Sequence, residues 1–531
     1  MPACRTILPA KRSPQASSLG SFVRIPARPY PLTPPAIQPK PFLRWTAKAS
    51  AAVLLCGCAA GPDFHEPPPP GADRYTVDPL PPATVPAAAG GADAQRFVDG
   101  KDVPSDWWTT FDNAEISRRV QLALQHSPTI AAADAALRQA EEIARAAQGT
   151  LLPSLDANLG VTRSRMSGAR SAGGGAALAP YTVYNAGVSV SYAFDFSGGL
   201  RRGVEARQAQ ADVQRAQLDA TWLALAANVV TASVQEASLR EQASATRAII
   251  AALAQQLDIA ERQQAIGARS LTDTLAVRAR LTATQATLPT LEKQLAATRN
   301  QLATYLGSTP AQSGLQAVTL AQVMLPADIP VTLPSKLAAQ RPDIRAASAQ
   351  LHSATALAGV ATAAMLPQVT LNGSLGSEAL SMSGLFGTGS GAWSLGLGLV
   401  QPLVHGGQLL HQRRAAEAAV DAAAANWQQT VLLAFQNVAD ALQALEYDAQ
   451  LLGSQTIAGQ DASTLLSLTQ ARFRTGAASY LDLLGAEQQY EQARIALIQA
   501  RAARLADTAA LYAALGGGWH GETTAAAGPG R

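Results

Sequence analysis

Cysteine is almost absent from this chain, and its placement limits what it can do. The three cysteines stand at positions 4, 56 and 58. A cut before Cys58 leaves one, so no disulfide can form within the remainder. No run of about 18 apolar residues occurs, which excludes a transmembrane helix. Aromatic residues are only 5% of the 531, against abundant alanine, a balance that suits close-packed helices better than a thick mixed core. Acidic residues are missing from positions 1–62, which hold eight lysines and arginines. Without that segment 33 basic residues face 38 acidic ones, a net of −5, so the formal +3 does not point to nucleic acid. Catalytic signatures are missing as well: there is no P-loop, no HExxH and no GxSxG context. The six histidines (65, 126, 352, 405, 411 and 520) lack metal-ligand spacing. Gly173-Gly174-Gly175 falls in a predicted loop between strands, a poor phosphate cradle. No enzyme activity, metal or cofactor is expected.

What is present starts with an export pattern. Lys40, Arg44 and Lys48 precede a short apolar run from Ala49 to Gly57, the order of a secretory signal. The basic, proline-rich stretch 1–39 is long for such a signal and is consistent with an over-extended gene start. Leu55-Cys56-Gly57-Cys58 resembles a bacterial lipobox, which makes Cys58 the lipidation site and a covalent lipid the one non-protein group expected. Ala59 follows in place of aspartate, which in lipoproteins favours outer-membrane sorting. A Pro/Ala/Gly-rich linker then runs to about Gly100.

The rest is duplicated. Ser127-Pro128-Thr129-Ile130 corresponds to Arg341-Pro342-Asp343-Ile344, and Leu152-Pro153 to Leu366-Pro367, both at an offset of 214. Gly198-Gly199 and Gly406-Gly407 are 208 apart; Gly267, Ser270 and Asp273 meet Gly476, Ser479 and Asp482 at 209, as Leu306-Gly307 meets Leu515-Gly516. Each copy reads helix, strand, loop, strand, long helix, turn, helix. The first helices are expected at about 113–149 and 335–364, ending before Leu-Pro. The long helices are two proline-free stretches of 67 residues, Leu200–Ile266 and Gln408–Arg474. Stripes such as Leu218, Trp222, Leu225, Val229 and Trp427, Val431, Phe435, Val438 mark amphipathic staves about 100 Å long. Pro289 is expected to kink or divide the helix after the first turn.

Four segments alternate with period two, at about 154–163, 184–195, 368–376 and 393–403. Leu155, Leu159 and Val161 are interleaved with Asp156, Asn158 and Thr162, and Leu395, Leu397 and Leu399 with Ser394, Gly396 and Gly398. Segments of about 9–11 residues with one apolar face fit tilted membrane strands. A soluble sheet with one buried face has the same pattern; export and the Gly/Ser-rich second face favour the membrane. Four strands cannot close a barrel, and open edges are not tolerated in lipid. Three copies would supply twelve strands around an open conduit, whereas eight tend to fill with side chains.

A family resemblance accompanies these patterns. Cys58 followed by Gly61-Pro62-Asp63-Phe64 and Pro67, then Trp107-Trp108-Thr109-Thr110-Phe111-Asp112, resembles the mature start of outer-membrane efflux lipoproteins. These are TolC-like channel components of RND-type tripartite pumps. Ile116 and Val120 stand where that family usually has leucines. Asn300-Gln301-Leu302-Ala303, Leu306-Gly307, Pro334-Ser335-Lys336-Leu337, Arg341-Pro342-Asp343-Ile344 and Ala358-Gly359-Val360-Ala361 continue the match in order, with Ala346-Ala347 where a glutamate is common. The resemblance implies a mainly α protein with a small transmembrane β part. Duplicated halves would give four strands per protomer in a trimeric twelve-stranded β-barrel, continued by a long periplasmic α-helical barrel.

The implied organisation is a signal at 1–57, a lipidated Pro/Ala-rich segment at 58–105, repeats at 106–310 and 335–516 around an equatorial linker at 311–334, and a tail at 517–531. The implied partners are two further copies, a periplasmic membrane-fusion adaptor, an inner-membrane pump and outer-membrane lipid, with no nucleic acid. The turns bearing Gly267, Ala268, Ser270 and Leu271, and Gly476, Ala477, Ser479 and Tyr480, resemble the family's adaptor-contacting periplasmic tips. Asp273 and Asp482 are the candidate gate, while Gly485 stands where some relatives carry a second acid. Capping alone also explains them: glycine ends a helix, and serine and aspartate three apart form a capping box. The implied function is a passive outer-membrane exit duct of a tripartite efflux pump. A type I secretion duct shares the same pattern, and a periplasmic coiled-coil structural or adaptor protein without a pore is the rival from another class.

Overall fold

The computed structural model describes residues 60–68, 71, 74–86, 94–165, 179–312 and 314–517. The expected signal, Cys58, Gly173-Gly174-Gly175 and nearly all of the tail lie outside the described residues. In chain order, a short strand β1 (Arg96–Asp99) precedes helices α1 (Ala114–His126) and α2 (Pro128–Gly149). Strands β2 (Ser154–Ser164) and β3 (Tyr181–Phe194) lead into α3 (Gly199–Ala265) and α4 (Leu271–Tyr305). The second half repeats this order as β4 (Asp328–Val331), α5 (Pro334–Gln340), α6 (Pro342–Ala363), β5 (Gln368–Ala379), β6 (Gly391–Val400), α7 (Gln408–Arg474) and α8 (Tyr480–Ala514). Helices α3 and α7 each have 67 residues, and α4 and α8 each have 35.

The ends of the long helices follow from local chemistry. Gly198 (φ 74°) and Gly407 (φ 84°) turn the chain through the left-handed region just before α3 and α7. The Asp195 carboxylate accepts from the Leu200 and Arg201 amides at 3.0 and 2.9 Å, an anion on the positive end of α3. Where the expected first helices run unbroken, the chain makes two helices each time. Ser127 (ψ 124°) and Arg341 (ψ 128°) are extended, because the following proline crowds the helical region of its predecessor. Pro289 does not divide α4. Its position and that of Gln285, whose carbonyl loses a partner, are both exposed, so water can take that bond. The tryptophan motif forms a separate 3-10 turn, Trp107–Phe111; Asp112 (φ 47°) ends it, and Asn113 Oδ1 caps α1 by accepting from Ile116 N at 2.9 Å.

Strands β2, β3, β5 and β6 form one antiparallel sheet in that order. Register puts like with like: Leu155 opposes Val190, Val188 opposes Leu375, and Leu375 opposes Trp393. One face is therefore continuously apolar and outward, with Trp393 77% and Leu159 73% exposed. The other carries Asp156, Ser189, Ser374 and Ser394 in one row. Gly187 faces Gly376 on that side, and a Cβ on Gly376 would sit 2.7 Å from the Gly187 Cα. The glycines are thus needed for backbone approach as well as for a polar face.

Bulky packing is concentrated midway along the helices. Trp107, Phe111, Ile116, Val120, Leu302, Leu320, Ile329 and Leu442 are fully buried there beside Leu505 and Tyr512. Nearer the sheet, α3 lies along α6 through small residues such as Ala206, Ala209, Ala356 and Ala358, an approach that alanine permits. The proline-rich segment expected as a linker is bonded to this body. Strand β1 pairs in parallel with β4, and Tyr75 donates to the Thr332 carbonyl at 2.7 Å. Gln95 and Thr84 accept from buried Arg504 at 3.3 and 3.1 Å. Composition hid these bonds, because each partner lies hundreds of residues away.

One ion pair joins α1 to α3 inside the core. Arg119 and Glu236 have no exposed side-chain surface, and meet at 3.0 Å. Arg119 also donates to Ser233 Oγ, the Gln316 carbonyl and Glu115, so its guanidinium is well used. Glu236 receives Arg240 and Arg299 in addition. Arg240 and Arg299 still neutralise Glu236 when Arg119 is removed, so the cost is that of the buried hydrogen bonds lost, and Arg119→Ala should lower the unfolding free energy by about 1–3 kcal/mol. Urea unfolding of the detergent-solubilised protein measures it.

Candidate functional site

The far ends of the long helices meet in two matched turns. Gly267 (φ 73°) donates to the Gln264 carbonyl at 2.9 Å and Ala268 to the Gln263 carbonyl at 2.8 Å. Gly476 (φ 78°) and Ala477 repeat these bonds to Phe473 and Arg472 at 3.0 and 2.8 Å. Both are Schellman ends, in which glycine takes the left-handed position at no steric cost. Ser270 and Ser479 then cap α4 and α8, each accepting from the amide three residues on at 3.1 Å. The full capping box closes only at the second turn, where Asp482 accepts from Ser479 N at 2.8 Å. Ser270 has ψ 152° against 163° at Ser479. Asp273 makes no matching bond to the Ser270 amide. The expected box at Ser270 and Asp273 is therefore half formed. Its bonds to Ser479 hold the Asp482 carboxyl below the usual range; the group is fully exposed.

The residues expected at an adaptor contact do not all face outward. Gly267, Ala268, Ser270, Leu271, Gly476, Ala477 and Ser479 are exposed, but Tyr480 is half-buried. Its ring lies 3.7 Å below the Arg269 guanidinium of the other turn, and its hydroxyl donates to Gln256 at 3.4 Å. Ile266, Leu271 and Leu481 stand out at 79%, 58% and 67% exposure, an apolar rim around both turns. About three turns above, Arg280 of α4 pairs with Glu491 of α8 at 3.1 Å and also donates to the Leu484 carbonyl. Gln256 reaches Glu487 beside it. Burial raises the carboxyls of Glu487 and Glu491 above their usual values. Sequence reading missed Arg280, Glu487 and Glu491, since no spacing rule joins residues about two hundred positions apart.

One chain thus carries an apolar-faced sheet at one end, two equal pairs of helices, and twin capped turns at the other. The chain belongs to the outer membrane efflux protein family. That family matches residues 120–308 and 333–517, one match per repeat. The chain is 30% identical over 449 residues to the pyoverdine export outer membrane protein OpmQ of Pseudomonas putida, covering 84% of this chain and 95% of that one. It is 26% identical over 475 residues to the probable outer membrane lipoprotein SilC of Salmonella typhimurium, covering 88% and 98%. The outer-membrane channel OprN superposes with a TM-score of 0.76 at 27% identity, covering 87% of this chain and all of that one. The architecture is that of the efflux channels: a helical body with a smaller sheet. These relatives are channels and outer-membrane proteins, which leaves the pore-less coiled-coil reading without support.

Elsewhere the efflux-family fold has little chemistry to offer a ligand. Among the described residues no group of three or more His, Cys, Asp or Glu could hold a metal ion, and no helix is long and apolar enough to cross a membrane. A groove of about 650 Å³ between α3, α7 and α8 is lined by alanines together with Arg341, Asp343, Asp440 and Asp507. Beside it the carboxyl of Asp448 on α7 is half-buried near that of Asp507 on α8, and its Oδ2 has no hydrogen-bond partner among the described residues. Burial and that neighbour push Asp448 up to about 7, with Arg504 opposing. The folded chain then keeps a proton that the unfolded one releases near pH 4, so stability declines as pH rises from about 4 to 7. The melting temperature should fall from pH 5 to pH 7.5, and Asp448→Asn should flatten that slope. Calorimetry at several pH values reads both.

Proposed function

We propose that three copies of this chain form a passive exit duct across the outer membrane, the channel of a tripartite efflux pump. The observation that carries this reading is the sheet: four strands, a continuous apolar face, and two open edges at β2 and β6. Bilayer hydrocarbon offers no partner to edge amides, so the edges must pair with other copies. Three copies of four strands give a twelve-stranded barrel, wide enough to stay open. Helices α3 and α7, about 100 Å long, continue the wall toward the inner membrane. A periplasmic adaptor meets the rim made by Ile266, Leu271 and Leu481 around the two glycine turns, and an inner-membrane RND-type pump supplies the energy. A lipid on Cys58 anchors each copy. The exported compounds are small and toxic to the cell; one relative is named for the export of pyoverdine.

Asp482 is the proposed resting gate. It is exposed beside the second turn, and three copies in a ring would attract cations and narrow the aperture electrostatically. Arg280, bonded to Glu491 and Leu484, holds the same turn against α4. Because Asp482 also caps α8, charge and cap must be separated. In planar bilayers Asp482→Ala should raise resting conductance severalfold and weaken cation preference, while Ser479→Ala, which breaks the cap and keeps the charge, should not. Equal effects of the two changes would reduce Asp482 to a cap. A chain that gives no conductance and no heat-modifiable oligomer in outer-membrane fractions would overturn the duct itself.

A further inference from the structure

The first described residues make contacts that neither the duct nor the tips use. Ala60 donates to the Ser197 carbonyl at 2.9 Å, just beyond the end of β3. Asp63 pairs with Arg202, whose side chain is only 7% exposed and whose other nitrogen donates to Glu205 at 2.8 Å. Glu205 in turn meets His352 Nε2 at 2.9 Å, and Phe64 stacks on the His352 ring at 4.4 Å and 13°. An acid and an aromatic side by side are thus received by three linked side chains, two from α3 and one from α6.

Shape agrees with charge. Gly61 crosses Gly359 so closely that a Cβ on Gly61 would fall on the Gly359 Cα. A Cβ on Gly359 would stand 2.9 Å from the Ala60 carbonyl oxygen and 3.0 Å from Arg202 Cγ. Gly359 lies inside α6, where glycine is a poor helix former, so the crossing supplies its reason.

We propose that Arg202, Glu205, His352 and Gly359 form a docking socket for the segment Ala60–Glu66, and that the socket fixes the start of the exported chain at the strand–helix junction. Its consequence rests on Cys58 being the lipid site. A lipid two residues upstream of Ala60 is then tethered by chain length to the level where the sheet leaves the bilayer. Anchor and sheet enter the membrane in register, which favours assembly of the open-edged strands. Because the socket takes one wall from each repeat, it is complete only when α3 and α6 have already paired.

Hydrogen exchange of the full-length, detergent-extracted protein tests this. The peptide covering residues 60–68 should exchange at least tenfold faster in Gly359→Leu, which fills the crossing, while α7 and α8 peptides stay unchanged. The pair Asp63→Ala with Phe64→Ala, placed on the segment itself, should release it equally without touching the body. Unchanged exchange in both variants overturns the socket. The yield of oligomer resistant to SDS in the membrane fraction should drop at least threefold in the same variants. An unchanged yield with a released segment overturns the placing role. The mass of the N-terminal peptide separately reports the acyl group; its absence would remove the lipid reading and leave the exchange result standing.

Discussion

A row of unpaired backbone amides cannot lie in hydrocarbon, and the two bare edges of this sheet bring that constraint into every other part of the chain. Among the described residues, strands β2 and β6 have partners on one side only. One face, from Leu155 through Val190 to Trp393, is apolar and exposed, as a strand face against lipid would be. A soluble sheet of this size could blunt its edges with charge or proline. Here the edges stay regular for 11 and 10 residues, as strands must if they are to be extended by another copy.

The division of labour along the molecule has a physical basis. Bulky side chains collect midway, where α1, α3, α4, α7 and α8 converge with β1 and β4, and there the core is thick enough to bury Arg119 and Glu236. Above that level the helices touch through alanine and glycine, which keeps the wall thin. Below it, small clusters such as Ile249, Leu253 and Leu281 hold α3 to α4, and polar links such as Arg280 to Glu491 hold α4 to α8. Apolar clusters tolerate little rearrangement, whereas exposed and half-buried ion pairs exchange partners at modest cost.

How much of this was legible in the residues varied with the range of the interaction. The bounds of α7 could be read directly from Gly407, Gly476 and the absence of proline between them. Which residues share a strand face was legible in the alternation, but the pairing register was not. The breaks at Ser127 and Arg341 were visible as Ser-Pro and Arg-Pro, yet the helical composition on both sides masked them. What could not be read were contacts between distant positions: Asp63 with Arg202, Phe64 with His352, Arg280 with Glu491. The segment 60–99 looked like a flexible tether because proline and alanine carry no periodic signal, although chain topology gives each of its bonded residues a partner. At the tips, sequence pattern identified the caps correctly but could not distinguish a closed box at Ser479 from an open one at Ser270.

The equality of helix lengths has a consequence for how this gene can change. With 67 and 67 residues descending and 35 and 35 returning, both turns end at one depth. An insertion in α3 alone would lower one tip and rotate every residue beyond it off its seam. Seven residues, close to two full turns, would restore the rotation but not the depth. Only a coordinated lengthening of all four helices preserves a level rim, so single insertions should be purged and the span conserved as a unit. The duplicated halves act as two strokes of one gauge, and a change in the distance between the two membranes would have to be written twice.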